Sequence, residues 1–425
     1  TIGGTRGVYG NAANIQLING AHGTIIGNTN NAVYLAQGGT IDNSGTIQSL
    51  NGYPAVYVGS GAATITNNAG GLIASNGTTV AMYDAGSKLT NAGTVTSRDE
   101  TAVYLGAGGT VINSGGLTGG TAGYGLWTSA GGTFTNQSGG TITGGLGGMY
   151  LDGTGAIAVN LDAGSTTGKI FSGGSGDRVI NISGTLNGGY AGGAGNDRIT
   201  LDTSAIVTGV LDGGSGGNDT LTLTGSGSAT LGDVMNIGSA TKSGSGTWTI
   251  SAPTSMTSWT IADGTLLLSG GNAIADTAMV TMTGGTLQLG ASEAIGNLSG
   301  TGAVSLGANG LTLLGNGTTF AGTISGSGNL LIGGTATLSG ANAYTGQTVV
   351  AGTLTLGASN VLADSSTLVV QAGGTVDLGA NSDAVAIAAI AGTLAGSGTL
   401  TASQYQLTGA TVNANLGAGT VFNLG

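Results

Sequence analysis

Three aspartates in glycine-rich turns are the residues whose types and spacing could do chemistry. The turns are Gly173–Val179 (GGSGDRV), Gly192–Ile199 (GGAGNDRI) and Gly213–Leu221 (GGSGGNDTL), which place Asp177, Asp197 and Asp219 about 20 residues apart. Carboxylates beside glycine carbonyls are hard oxygen donors, the type that a hard metal ion needs. Asp197 and Asp219 are therefore the candidate metal ligands. If the turns stack instead as plain corners, the aspartates form a row of like charges, which the adjacent Arg178 and Arg198 would relieve.

Candidates for catalysis are sparse. The one histidine, His22, stands in a glycine-rich turn, and there is no cysteine, so neither a zinc site nor a Cys/His pair can be built. His22 reads as a surface corner residue. Gly213–Gly217 matches the nucleophile-elbow pattern around Ser215, but no helix follows it, and 91 glycines make chance matches common. The two glutamates, Glu100 and Glu293, are far apart, and Arg98-Asp99-Glu100 is the densest charged spot. An acid–base pair could come only from aspartates of successive turns. The expectation is that the chain is not an enzyme and needs no cofactor.

Composition narrows the class further. The 425 residues carry 7 basic and 18 acidic side chains, a net charge of −11, with the basic residues scattered. No basic patch is available for a phosphate backbone, so nucleic acid is not an expected partner. Only 2 prolines, no triplet period and 39% hydrophobic residues argue against collagen and against disorder. The longest apolar run, Ala384–Ala391, is far short of the roughly 20 residues that span a bilayer. The chain opens on Thr1-Ile2 without a signal-peptide pattern, so any export signal is expected either to have been removed or to lie outside this sequence. Absence of cysteine suits export through an oxidising periplasm.

The elements that must position these residues show themselves in two ladders. Tyr9, Tyr34, Tyr57, Tyr83, Tyr104, Trp127 and Tyr150 recur at near-even spacing, most in a frame such as AVYL at Ala32 or AMYD at Ala81. Asn19, Asn43, Asn67, Asn91, Asn113 and Asn136 recur at almost the same spacing, each near a glycine. One period of about 23 shared by two independent features suits a coil of three short strands and their corners. Stacked coils bring equivalent residues into register about 4.8 Å apart, where asparagines hydrogen-bond one another and aromatic rings stack. The asparagines read as structural. In each aromatic frame the preceding residue (Val33, Val56, Met82, Val103, Leu126, Met149) is apolar and is taken as core. That turns Tyr34, Tyr57, Tyr83, Tyr104, Trp127 and Tyr150 outward as the candidate binding surface. Asp84, next to Tyr83, fits this only if it lies at a strand end.

Beyond residue 225 the strands become more regular, and Thr335–Gly357 (TATLSGANAYTGQTVVAGTLTLG) alternates strand and turn with period two. Thr247–Gly264 holds the same register 88 residues earlier, and Asn272 and Asp276 align with Asn360 and Asp364. At about 22 residues a coil, the repeat would be four coils. The run resembles the passenger-associated repeat of bacterial autotransporters, the type V secretion proteins that export a β-helical passenger through their own outer-membrane barrel. The aspartate turns, for their part, resemble the calcium-binding nonapeptides of β-roll toxins, a resemblance that would make calcium the ion at Asp197 and Asp219. They come once per coil rather than in tandem, however, which favours structural corners.

The resemblance implies an all-β, right-handed parallel β-helix in one rod, with about 18 coils of roughly 20–26 residues each. Its stretches would be 1–160 with both ladders, 161–225 with the Gly/Asp turns, and 226–425 with the 88-residue repeat. It further implies an adhesin or self-associating passenger on the surface of a Gram-negative cell, anchored by a barrel absent from this sequence. The partner would be a copy on a neighbouring cell, or a host or matrix protein or glycan. A surface spacer without a ligand is the alternative, and a carbohydrate-active enzyme a more distant one.

Overall fold

The computed structural model describes residues 1–423, and among them every regular element is a β-strand. Parallel strands stack in about 20 turns to form a β-solenoid, as expected of a parallel β-helix. Two compact units are present, Thr1–Leu221 with Gly232–Ile237, and Thr222–Leu231 with Gly238 onward. The change of sequence texture near residue 225 thus falls close to a structural division, whereas the one near residue 160 lies inside the first unit.

Three parallel sheets build the first unit. One of ten strands begins at Ile2–Gly4 and Thr24–Gly27, and a second of eleven begins at Val8–Gly10 and Val33–Leu35. The third contains Ile15–Asn19, Gly39–Asn43, Ala63–Asn67, Lys88–Asn91, Gly109–Asn113 and Gly132–Asn136, in register. Alternate side chains point inward, so Ile41, Ile65, Leu89, Val111 and Phe134 form one stacked column with almost no exposure. Each such side chain stabilises the fold by roughly 1.5–3 kcal/mol relative to an exposed one.

Corners explain the glycine content. Gly38 (φ 78°) and Gly108 (φ 89°) take the left-handed conformation, and a Cβ there would lie 2.3 Å from the Ala62 carbonyl and 2.0 Å from that of Gly131. Backbone passes so close over backbone at these corners that only a hydrogen fits.

The 88-residue repeat of the second unit is structural as well as sequential. Strands Thr247–Ile250, Thr265–Leu268 and Met279–Met282 recur as Thr335–Leu338, Thr353–Leu356 and Thr367–Val370. A loop follows each central strand, with Asn272 (φ 58°) and Asn360 (φ 56°) both left-handed. Ala278 N–H donates to Ala275 O in the first loop, and Ser366 N–H to Ala363 O in the second. An acid of a later strand clasps each loop: Glu293 accepts from the N–H groups of Ala273 and Ile274, and Asp383 from those of Val361 and Leu362.

The repeat is not four coils, however. Thr247–Ile250 and Thr265–Leu268 pair in a seven-stranded sheet, whereas Thr335–Leu338 and Thr353–Leu356 pair in a different one. The latter sheet runs from Ser239–Lys242 through Ser258–Ile261, Met279–Met282, Asn297–Gly300 and Asn316–Phe320 to Thr335–Leu338. The repeat therefore falls one face short of five turns. Coils here are shorter than in the first unit: Thr335 pairs with Thr353 one turn on, whereas Thr40 pairs with Thr64. Equivalent loops leave the solenoid from different faces.

Candidate binding surface

The eleven-stranded sheet of the first unit carries the aromatic row. In Val33–Leu35, Val56–Val58 and Val103–Leu105 the flanking residues are fully buried and the central tyrosine is half-exposed. Register places Tyr9, Tyr34 and Tyr57 in one column, and Tyr104, Trp127, Tyr150 and Phe171 in its continuation. Val33, Val56, Val103, Leu126 and Met149 are core, as the alternation requires, and the aromatic row faces outward.

Ring geometry changes along the row. Tyr9 and Tyr34 stack with centroids 5.3 Å apart and planes at 22°, and Tyr34 and Tyr57 at 5.1 Å and 8°. The contacts then tilt, to 42° for Tyr57–Tyr83, 64° for Tyr83–Tyr104, 81° for Tyr104–Trp127 and 82° for Trp127–Tyr150. Offset and edge-to-face pairs of this kind each add about 0.5–1.5 kcal/mol beyond the area they bury. Burial pushes the Tyr83 phenol up, and the neighbouring Tyr57 and Tyr104 push it the same way.

One frame is corrected. The sequence pattern set Met82 level with Val56, but the register pairs Val80 with Val56, Ala81 with Tyr57 and Tyr104, and Met82 with Val58 and Leu105. Ala81 therefore holds the rung, and Tyr83 reaches it from two residues downstream, beyond the end of strand Val80–Met82. Period two keeps both on the outer side. Asp84 then lies in the following turn, where its carboxylate accepts from Gly86 N–H, and it does not interrupt the core.

Four participants escaped the sequence reading. Tyr124 stacks on Tyr150 at 5.2 Å and meets Trp127 and Phe171 edge-on, although it is three residues off the ladder position. Phe171 pairs with Tyr150 one coil on, and was within the ladder's own spacing. The Arg6 guanidinium sits 5.3 and 4.8 Å from the ring centroids of Tyr9 and Tyr34, and Lys169 Nζ sits 4.6 Å from that of Phe171. A cation thus covers aromatic faces near each end of the row.

The asparagine ladder is interior. Nδ2 of Asn19, Asn43, Asn67, Asn91 and Asn113 donates to Oδ1 of the next asparagine at 2.7–2.8 Å, and Asn136 ends the series on Thr167 Oγ1 at 2.9 Å. Asn43 to Asn136 are fully buried. The ladder supplies hydrogen bonding at a closed corner and offers a ligand nothing.

The candidate metal ligands are likewise turned inward. Asp197 accepts from Arg178 N–H at 3.0 Å and from the Tyr190 hydroxyl at 2.5 Å, and Asp219 accepts from Asp197 N–H at 2.7 Å. Asp177 is out of the row by one residue and exposed; register makes Arg178, not Asp177, the neighbour of Asp197. The Arg178 side chain is fully buried and donates to Ser172 Oγ and to the carbonyls of Gly155 and Gly153, rather than to a carboxylate. Burial raises the carboxyls of both Asp197 and Asp219, and Tyr190, buried against Asp197, is raised strongly too. Asp219 Oδ2 is buried without a hydrogen-bond partner. Among the described residues no group of three or more His, Cys, Asp or Glu is placed to hold a metal ion.

The second unit offers an open groove of about 540 Å³, lined by Ala294, Thr312, Leu331 and Val349 with Asn272, Asn329 and Gln371 beside them. Glu293 also borders it, with both oxygens bound to the loop amides. His22, Ser215 and Glu100 are exposed, and Glu100 accepts from Thr78 N–H and Oγ1 across one coil.

No family model matches the chain, and no curated protein or solved structure matches it.

Proposed function

We propose that the chain is the passenger of a bacterial autotransporter, displayed outside a Gram-negative cell and adhering through the side of its first unit. The observation that carries this reading is the outward aromatic row from Tyr9 to Phe171, continuous across the coils and bracketed by Arg6 and Lys169. A line of ring edges and hydroxyls on a rigid wall gives many weak contacts in register, and such contacts multiply when two long surfaces meet. Tyr9 and Tyr83 are 55% and 43% exposed, so the row offers apolar area that a partner can bury. The 88-residue repeat supports the secretion class through its resemblance to passenger-associated repeats.

The stacking favours a protein partner over a glycan. Ring faces in the Tyr9–Tyr34–Tyr57 stretch are covered by one another and by Arg6, leaving edges and hydroxyls rather than the flat faces on which sugars stack. A second copy of the chain is the partner whose row has a matching period. The same mutual coverage is also what a surface spacer would show, its rings serving only to stiffen the wall.

Sedimentation velocity over a concentration series separates the two, using wild type and a variant with Tyr34, Tyr57, Tyr83 and Tyr104 all changed to Ser. Self-association of the wild type, lost in a folded variant, is the expected result. A wild type that stays monomeric throughout overturns self-association and favours the spacer.

A further inference from the structure

We propose that neighbouring tyrosines of the row are a modification site, coupling to dityrosine under one-electron oxidation and so stapling successive coils, with Tyr34–Tyr57 the leading pair. The inference goes beyond adhesion and does not depend on it. Dityrosine formation needs two phenoxyl radicals with ortho carbons in contact, and the slow step is ordinarily their encounter. Here the encounter is built in: the rings are 5.1 Å apart and nearly parallel, and the strands bearing them are locked in register. Tyr9 on one side and Tyr83 on the other extend the contact, so a radical formed on any of the four has a phenol neighbour with which to exchange an electron and a proton.

The chemistry balances with hydrogen peroxide, used by a haem peroxidase, as the oxidant. Each phenol gives up one electron and one proton, and the two hydrogen equivalents reduce one peroxide to two waters. The radicals join through one new bond between ortho carbons. The ring hydrogen on each of those carbons then moves to the oxygen, restoring two phenols. The net loss from the protein is two hydrogen atoms. The strands stay paired while the two side chains turn to bring their ortho carbons together, starting from ring centroids 5.1 Å apart.

Position in the chain gives the bond a consequence. Tyr34 and Tyr57 stand one full coil apart in the chain, so the link closes a loop in the unfolded state while leaving the folded coil unchanged. A cross-link of that kind stabilises chiefly by restricting the unfolded state.

The test treats the full chain, diluted until it is monomeric, with a haem peroxidase and hydrogen peroxide. The products are then digested with elastase, because no Lys or Arg lies between Arg6 and Lys88 for a basic-site protease to use. The expected result is dityrosine fluorescence from a chain of unchanged sedimentation, with linked peptides joining Tyr34 to Tyr57 and a higher unfolding midpoint. Tyr57→Phe keeps the ring and removes the phenol, and is expected to abolish that link. Tyr53→Phe, at a 53% exposed tyrosine outside the row, is expected to leave it. Links only between chains, links made mainly by Tyr53, or an undiminished yield in a folded Tyr57→Phe variant would each overturn the proposal.

Discussion

Tyr83 and Ala81 share one rung of the aromatic row: Ala81 holds the paired position between Tyr57 and Tyr104, and Tyr83, two residues on, supplies the ring. Ala81 is only 2% exposed. Tyr83→Ser removes two ring contacts at once and is expected to lower stability by about 1–3 kcal/mol, two aromatic pairs' worth. The measurement is urea unfolding of the whole chain. A change below a few tenths of a kcal/mol would mean that Tyr57 and Tyr104 close the gap by themselves.

The asparagine ladder is the more expensive feature to break. Asn67→Ala leaves Asn43 Nδ2 without its Oδ1 acceptor, Asn91 Oδ1 available to no donor from below, and the carbonyls of Gly71 and Thr94 without their side-chain donor. Stranding buried polar groups costs about 1–3 kcal/mol each, so a loss of about 2–5 kcal/mol is expected after partial relaxation. Hydrogen exchange gives the check: amides flanking Asn43 and Asn91 should lose protection with those around Asn67, while those of the second unit do not.

Stability is expected to rise as pH falls from 7. Burial raises the carboxyls of Asp197, Asp219, Glu293 and Asp383 above their ordinary values of 3.8 for aspartate and 4.5 for glutamate. A carboxyl raised by folding binds its proton more tightly in the folded state. Its stabilising effect is complete below the unfolded value and is lost as pH rises from there through the folded value. Lys242, lowered by its own burial, works the other way, with stability growing as pH rises from its folded value toward 10.5. Thermal unfolding from pH 7 down to the aspartate range should therefore show an increasing midpoint. Asp219→Asn keeps an oxygen for Asp197 N–H and removes the titrating group, so it should flatten the profile. A midpoint that falls steadily on acidification contradicts this.

By itself the sequence determined the fold class, because period-two alternation, glycine corners and two ladders of one shared period admit only short strands stacked in register. Those features are local, and in-register stacking turns them directly into columns. The outward direction of the tyrosines followed from the same alternation, since Val33 and Leu35 must go the other way. Tertiary structure alone decided what depends on count and register. A shift of two residues at Ala81 leaves the alternation intact, so the pattern could not show that Tyr83 comes from the strand's far end. Coil length decided that the 88-residue repeat advances one face short of five turns, because corners absorb or omit residues without disturbing the strands between them. The single offset between Asp177 and Asp197 decided that Arg178 turns into the wall. Whether a side chain lies inside or outside a solenoid changes with one residue of register, and register is set by contacts between coils that no stretch of chain carries alone.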